Sequence, residues 1–157
     1  MRRALALPVA AVALLLAGCA PTVSMTPAPQ AASARCAGVI VRLPQTIGTA
    51  ERRATDAQAT AAWGLPASVT LTCGVVTPLA STTRCFTIGG IDWLVEQRTI
   101  DDASRSVATT FGREPGTQVV VDPGVIGADA ALDAVSEPIA TATRATGQRC
   151  LAPTDTP

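Results

Sequence analysis

Residues 104–121 read SRSVATTFGREPGTQVVV. From Ser104 to Gly112 the chain alternates, with Val107, Thr109 and Phe111 on one side, and Thr117 to Val121 is a β-branched run. A period of two sends successive side chains to opposite faces of a sheet, and branched side chains suit its pleated surface. Arg113-Glu114-Pro115-Gly116 joins the two segments as a turn, and Asp122-Pro123-Gly124 ends the second. The stretch predicts two antiparallel strands.

Working outward, Ser68 to Val75 (SVTLTCGV) also alternates, with Val69, Leu71 and Cys73 together, and predicts a third strand. Arg84 to Ile88 and Ile91 to Val95 flank Gly89-Gly90, a hairpin signal. Ala59 to Ala62 leads into Trp63-Gly64-Leu65-Pro66, read as a turn. Cys36 to Leu43 (CAGVIVRL) is short and apolar, either helix or strand by periodicity, and Pro44 ends it. Gly127 to Gly147 predicts a helix, because Leu132, Val135, Ile139 and Ala142 fall at helical spacing; Pro138 is expected to kink or restart it. The fold class expected is α+β: a two-layer sandwich of about five mostly antiparallel strands, covered on one face by one or two helices.

With 157 residues, 48% hydrophobic and 15% charged, the chain is a candidate for one packed domain and not a charge-rich disordered segment. All its basic residues are arginine, and it has neither His nor Tyr. Without His there is no Ser-His-Asp triad, Cys-His pair or His metal ligand; without Lys there is no Schiff base, Walker lysine or Ser-Lys dyad.

Arg2 and Arg3 precede an apolar run from Ala4 to Ala17. As a helix that run spans about 21 Å, short of a hydrocarbon core of roughly 30 Å, so residues 1–18 read as a signal peptide. Leu16-Ala17-Gly18-Cys19 resembles the bacterial lipoprotein processing site. Its residue types fit that chemistry: a thiol to take diacylglycerol, small neighbours to admit a peptidase, and an apolar handle. Cleavage between Gly18 and Cys19 is expected, with lipid on Cys19 and the membrane as a partner through that anchor. Residues 19–34 then read as the lipidated cysteine and a flexible Pro/Ala/Ser tether, 35–150 as the single domain and 151–157 as a polar tail. Removal of the leader takes two arginines with it, so the mature chain is weakly acidic and a poor nucleic-acid binder. The expected location is the extracytoplasmic face of the cell membrane.

Cys36, Cys73, Cys85 and Cys150 form an even set in an exported chain, which implies two disulfides with three connectivities open. No Cys-x-x-Cys spacing points to zinc or redox chemistry, and no metal or cofactor is expected.

Five segments taken in order carry a wider likeness: Cys36-Ala37 with Leu43-Pro44; Arg53-Ala54-Thr55 with Ala61-Ala62-Trp63-Gly64; Leu71-Thr72-Cys73-Gly74-Val75; Gly90-Ile91-Asp92-Trp93-Leu94; and Thr109-Thr110-Phe111-Gly112-Arg113. Together they resemble a family of actinobacterial secreted proteins and lipoproteins known only as a domain of unknown function. The resemblance implies that Cys36 and Cys73 are that family's two usual cysteines. Cys85 and Cys150 depart from its pattern and are paired with each other, which would staple the C-terminal helix end to the hairpin. It implies no activity, substrate or cofactor.

Among candidate sites, Trp63, Asp92, Trp93 and Arg113 form the most tempting set, an aromatic platform for sugar or peptide; the plainer reading makes the two tryptophans core fillers in a chain with 3% aromatics. Arg52-Arg53 with Asp56, and Arg113, are candidates for an anionic ligand, against ordinary structural ion pairing. Asp129, Asp133 and Glu137 recur at helical spacing and read as a solvated face before a cation site, and Asp101-Asp102 read as a turn. No pair of carboxylates stands out as an acid and a base, so no catalytic residue is assigned. The expected function is a lipid-anchored, non-enzymatic envelope protein that binds a protein partner or a small envelope ligand. A carboxylate-dependent hydrolase of cell-wall sugar or peptide is the alternative, and a spacer without a ligand site the third.

Overall fold

The computed structural model describes residues 21–151. The leader, the Gly18–Cys19 cleavage point and most of the tail lie outside the described residues. The elements run α1 (Ala34–Arg42), β1 (Thr46–Ile47), β2 (Ala50–Arg53), β3 (Thr60–Trp63), β4 (Val69–Val75), β5 (Cys85–Ile88), β6 (Ile91–Ile100), β7 (Ala103–Phe111), β8 (Arg113–Glu114), β9 (Gly116–Val121), α2 (Ala128–Ala142) and β10 (Arg144–Ala145). Eight strands form one sheet in the order β1-β2-β3-β4-β9-β7-β6-β5, each pair antiparallel, while β10 pairs with β8 apart from it.

The α+β reading holds, but the sheet is larger than the five strands expected. The five expected strands are β4, β5, β6, β7 and β9. The others gave no alternation: Thr60–Trp63 is buried at all four positions, Ala50–Arg53 ends in two arginines, and β1, β8 and β10 have two residues each. Trp63 therefore closes a strand, and the turn after it begins at Gly64. Cys36–Leu43 resolves as helix, capped by Ser33, whose side chain accepts from the Arg35 N–H.

Register explains the core. Ala61, Leu71, Val119 and Ala108 lie in one cross-strand row, and Trp63, Val69 and Val121 in the next, all facing the helices. Buried Ile91 and Trp93 extend this face onto β6. The two helices pack on each other, α1 also on β4 and α2 also on β5 and β9. Leu132, Val135 and Ile139 point inward from α2, with Asp129, Asp133 and Glu137 on its exposed side. α2 continues through Pro138 and does not restart there. Asp101 and Asp102 both have positive φ, the conformation a two-residue hairpin between β6 and β7 demands.

Two disulfides staple the layers. Cys36–Cys73 joins α1 to β4 and is wholly buried; Cys85–Cys150 joins β5 to the end of the chain. This is the connectivity the resemblance implied, although the second bridge holds the segment beyond β10 and not the helix end itself.

The expected flexible tether needs correction in its described part. Val23 lies parallel to Thr55, its N–H donating to Ala54 O at 2.9 Å. The Met25 N–H donates to Asp56 Oδ1 at 2.8 Å and the Gln30 N–H to Gly74 O at 3.0 Å. Gly74 has φ +100°, and a Cβ there would come 2.5 Å from the Gln30 carbonyl carbon, so glycine is what lets this segment lie on β4. Proline-rich composition suggests a free spacer, but prolines also suit an extended strap that bonds to the domain through the N–H groups of Val23, Met25 and Gln30.

The Asp56 carboxyl is held below the ordinary range, chiefly by the Met25 N–H and then by the Ser24 side chain. A depressed value means the contact is complete above the usual carboxylate pKa and fades as pH falls through the depressed one. The strap should therefore stay docked at neutral pH and loosen only in acid. Asp56→Ala is expected to speed exchange of the Met25 amide at least about tenfold at neutral pH, read by hydrogen exchange. Unchanged protection would remove Asp56 from the docking.

Candidate functional site

The end of the sheet where β5 and β7 finish and β6 begins carries the richest chemistry. After α2 the chain turns back as a strap. Arg144 and Ala145 pair with Glu114 and Arg113, the Thr146 N–H donates to Gly112 O at 2.9 Å, and Gln148 Nε2 donates to Leu79 O at 3.0 Å. Gly112, at φ +69°, lies directly under the strap, where a Cβ would come 2.1 Å from Gln148 O. The Cys85–Cys150 bridge then pins the strap's far end.

A cleft of about 400 Å³ opens beside the strap, lined by Thr87, Asp92, Phe111, Arg113, Gln148 and Arg149 among others. The Asp92 carboxylate is occupied on both oxygens: Oδ1 accepts from Thr87 Oγ1 at 2.6 Å and Oδ2 from the Cys150 N–H at 2.9 Å. It holds the strap to the β5–β6 hairpin. Arg113 Nη1 donates to Ala140 O at 3.3 Å, at the C-terminal end of α2, where the helix carries partial negative charge. Arg149 is exposed and makes no hydrogen bond or ion pair among the described residues. The cleft therefore offers guanidinium donors and one carboxylate already engaged. Across the strap lies a second hollow, of about 440 Å³, with exposed Leu79 and Leu151 on its rim.

The candidate platform is divided by this geometry. Asp92 and Arg113 line the cleft together. Trp63 and Trp93 do not: both have 0% of their surface exposed, so neither presents a face to a ligand, and the platform expectation is corrected to core packing. Their indole N–H groups donate to Pro44 O at 3.0 Å and Ile88 O at 3.4 Å. Arg52 caps the end of α1 through Ile40 O and Leu43 O, and burial lowers its pKa. Arg53 bridges Gly64 O and Pro21 O. Together with Asp56 these side chains hold structure, which leaves Arg113 as the only one of the proposed anion-binding arginines that lines this cleft. No cluster of metal-ligating side chains occurs among the described residues. Arg149 was not singled out in sequence; the cue was Cys150, since a bridge to Cys85 has to carry its neighbour back to the sheet.

One family profile matches residues 4–147. The chain belongs to the family described as "Protein of unknown function (DUF3515)". No curated protein and no solved structure matches it. The DUF3515 match takes in the whole sheet, both helices and the Cys36–Cys73 bridge, and stops at Gly147, so Arg149 and Cys150 lie beyond it. The DUF3515 description assigns no chemistry to the cleft, which has to be read from its own residues.

Proposed function

We propose that this chain is a lipid-anchored envelope protein that works by binding, with the Arg113–Arg149 cleft taking an anionic group of an envelope ligand. The anchor rests on the leader and Leu16-Ala17-Gly18-Cys19, and two disulfides suit an oxidising compartment. The observation that carries the binding reading is the engagement of Asp92. One of its oxygens holds Thr87 of β5 and the other the strap, which favours recognition by guanidinium groups over a pair of working carboxylates.

Calorimetric titration with peptidoglycan fragments bearing free carboxylates tests the site. Arg149→Gln is expected to weaken binding about tenfold, the scale of one charge-assisted hydrogen bond at a wet site. Equal affinity for wild type and Arg149→Gln would refute the cleft. Turnover of peptidoglycan by wild type, lost in Asp92→Asn, would replace the binding reading with the hydrolase.

A further inference from the structure

At the opposite end of the sheet lies a shallow hollow of about 600 Å³, lined by Arg53, Leu65, Pro66, Arg105, Asp122 and Val125 among others. Leu65 is 71% exposed and Val125 66%. Arg105 is paired with Asp122 at 2.8 Å and Arg53 is committed to backbone carbonyls, so exposed Glu51 is the one charged side chain of this lining without a partner among the described residues, beside the apolar Leu65 and Val125. The described chain begins at this surface: Pro21 O accepts from Arg53 Nη2.

We infer that this end of the domain lies directly on the lipid bilayer, with Leu65 and Val125 in the interfacial layer. The inference rests on the proposed lipidation of Cys19. Pro21 is two positions after Cys19, and two steps of extended chain reach at most about 7 Å. The strap from Val23 onward is bonded to the domain and supplies no slack. An acyl chain on Cys19 therefore fixes the bilayer within one side-chain length of the Arg53 edge. Two apolar side chains are too few to hold a free domain on a membrane, but they are enough to orient one already held there. With both lining arginines engaged and Glu51 the unpaired charge, the surface gains no attraction from anionic lipid. The orientation also sets the far cleft. The exposed Asp101-Asp102 tip of the β6–β7 hairpin lies on the bilayer side of Arg105, at headgroup level, and from Arg105 β7 rises about 20 Å to Phe111 on the cleft wall. The cleft faces away from the membrane.

The test uses the full chain, purified from membranes of the producing cell, its Cys19 adduct read by mass spectrometry. The protein is reconstituted into phosphatidylcholine vesicles brominated on the acyl chains, with and without phosphatidylglycerol. Trp63 and Trp93 are buried and give an unquenched background. The emission added by Leu65→Trp and by Val125→Trp is expected to be quenched at least threefold more than that added by Phe86→Trp, on β5, whatever the lipid charge. Two sites at the near end guard against one variant that fails to fold. Equal or reversed quenching with lipid present on Cys19 overturns the orientation and leaves the anchor standing. An unmodified Cys19 overturns both.

Discussion

Trp63→Ala is expected to lower the unfolding free energy by about 3–5 kcal/mol, the range for emptying a large aromatic site. Trp63 lies among Val69, Leu71 and Val121 with no exposed surface, and its indole N–H is the donor to Pro44 O. The substitution opens a cavity and leaves that carbonyl without its partner, and both effects act in the same direction. Urea denaturation measures it, with Val41→Ala, at an exposed position of α1, as a comparison expected within about 0.5 kcal/mol of wild type. A ligand platform would behave in the opposite way, losing affinity while the denaturation midpoint stayed put. An unshifted midpoint for Trp63→Ala would contradict the buried placement.

Removing the inner bridge with Cys36→Ala and Cys73→Ala together should cost about 3–4 kcal/mol, since it cross-links a loop of 37 residues. For a domain of this size that is a large part of the whole stability margin. The two bridges are distinguished by access. Both sulfurs of the inner one are buried, whereas Cys85 and Cys150 are only partly covered. Under mild reductant, alkylation is expected first at Cys85 and Cys150, with Cys36 and Cys73 protected until the domain unfolds. Peptide mapping after timed trapping reads the order, and prior labelling of Cys36 would refute it.

The parts of this fold legible in the sequence are those where one face of an element is buried and the other is wet. Val69, Leu71 and Cys73 on β4 alternate with threonines because the helices cover one side of the sheet and not the other. Thr60–Trp63 is buried on both sides and lost that signature, so a core strand was read as the approach to a turn. The two-residue strands are set by partners distant in sequence, Glu114 with Arg144 for instance, and no local pattern announces them. The site divided in the same way. Asp92 and Arg113 stood out by type and position, whereas the exclusion of both tryptophans depended on which face of the sheet each occupies. That is a matter of register, which composition does not encode. The docking of the N-terminal segment is not legible because what it offers the domain is its own backbone N–H and C=O groups, to which its side-chain identity is nearly blind.

The return of residues 144–150 across Gly112 has a consequence for how the molecule is made. Synthesis proceeds from the N-terminus, and the sheet, both helices and the inner bridge are complete by Ala142. One wall of the Asp92 cleft is supplied only by the final residues of the domain. A nascent or truncated product can thus be folded and oxidised at its centre while its recognition surface does not yet exist, and a fusion placed at the C-terminus sits beside the last part to be built.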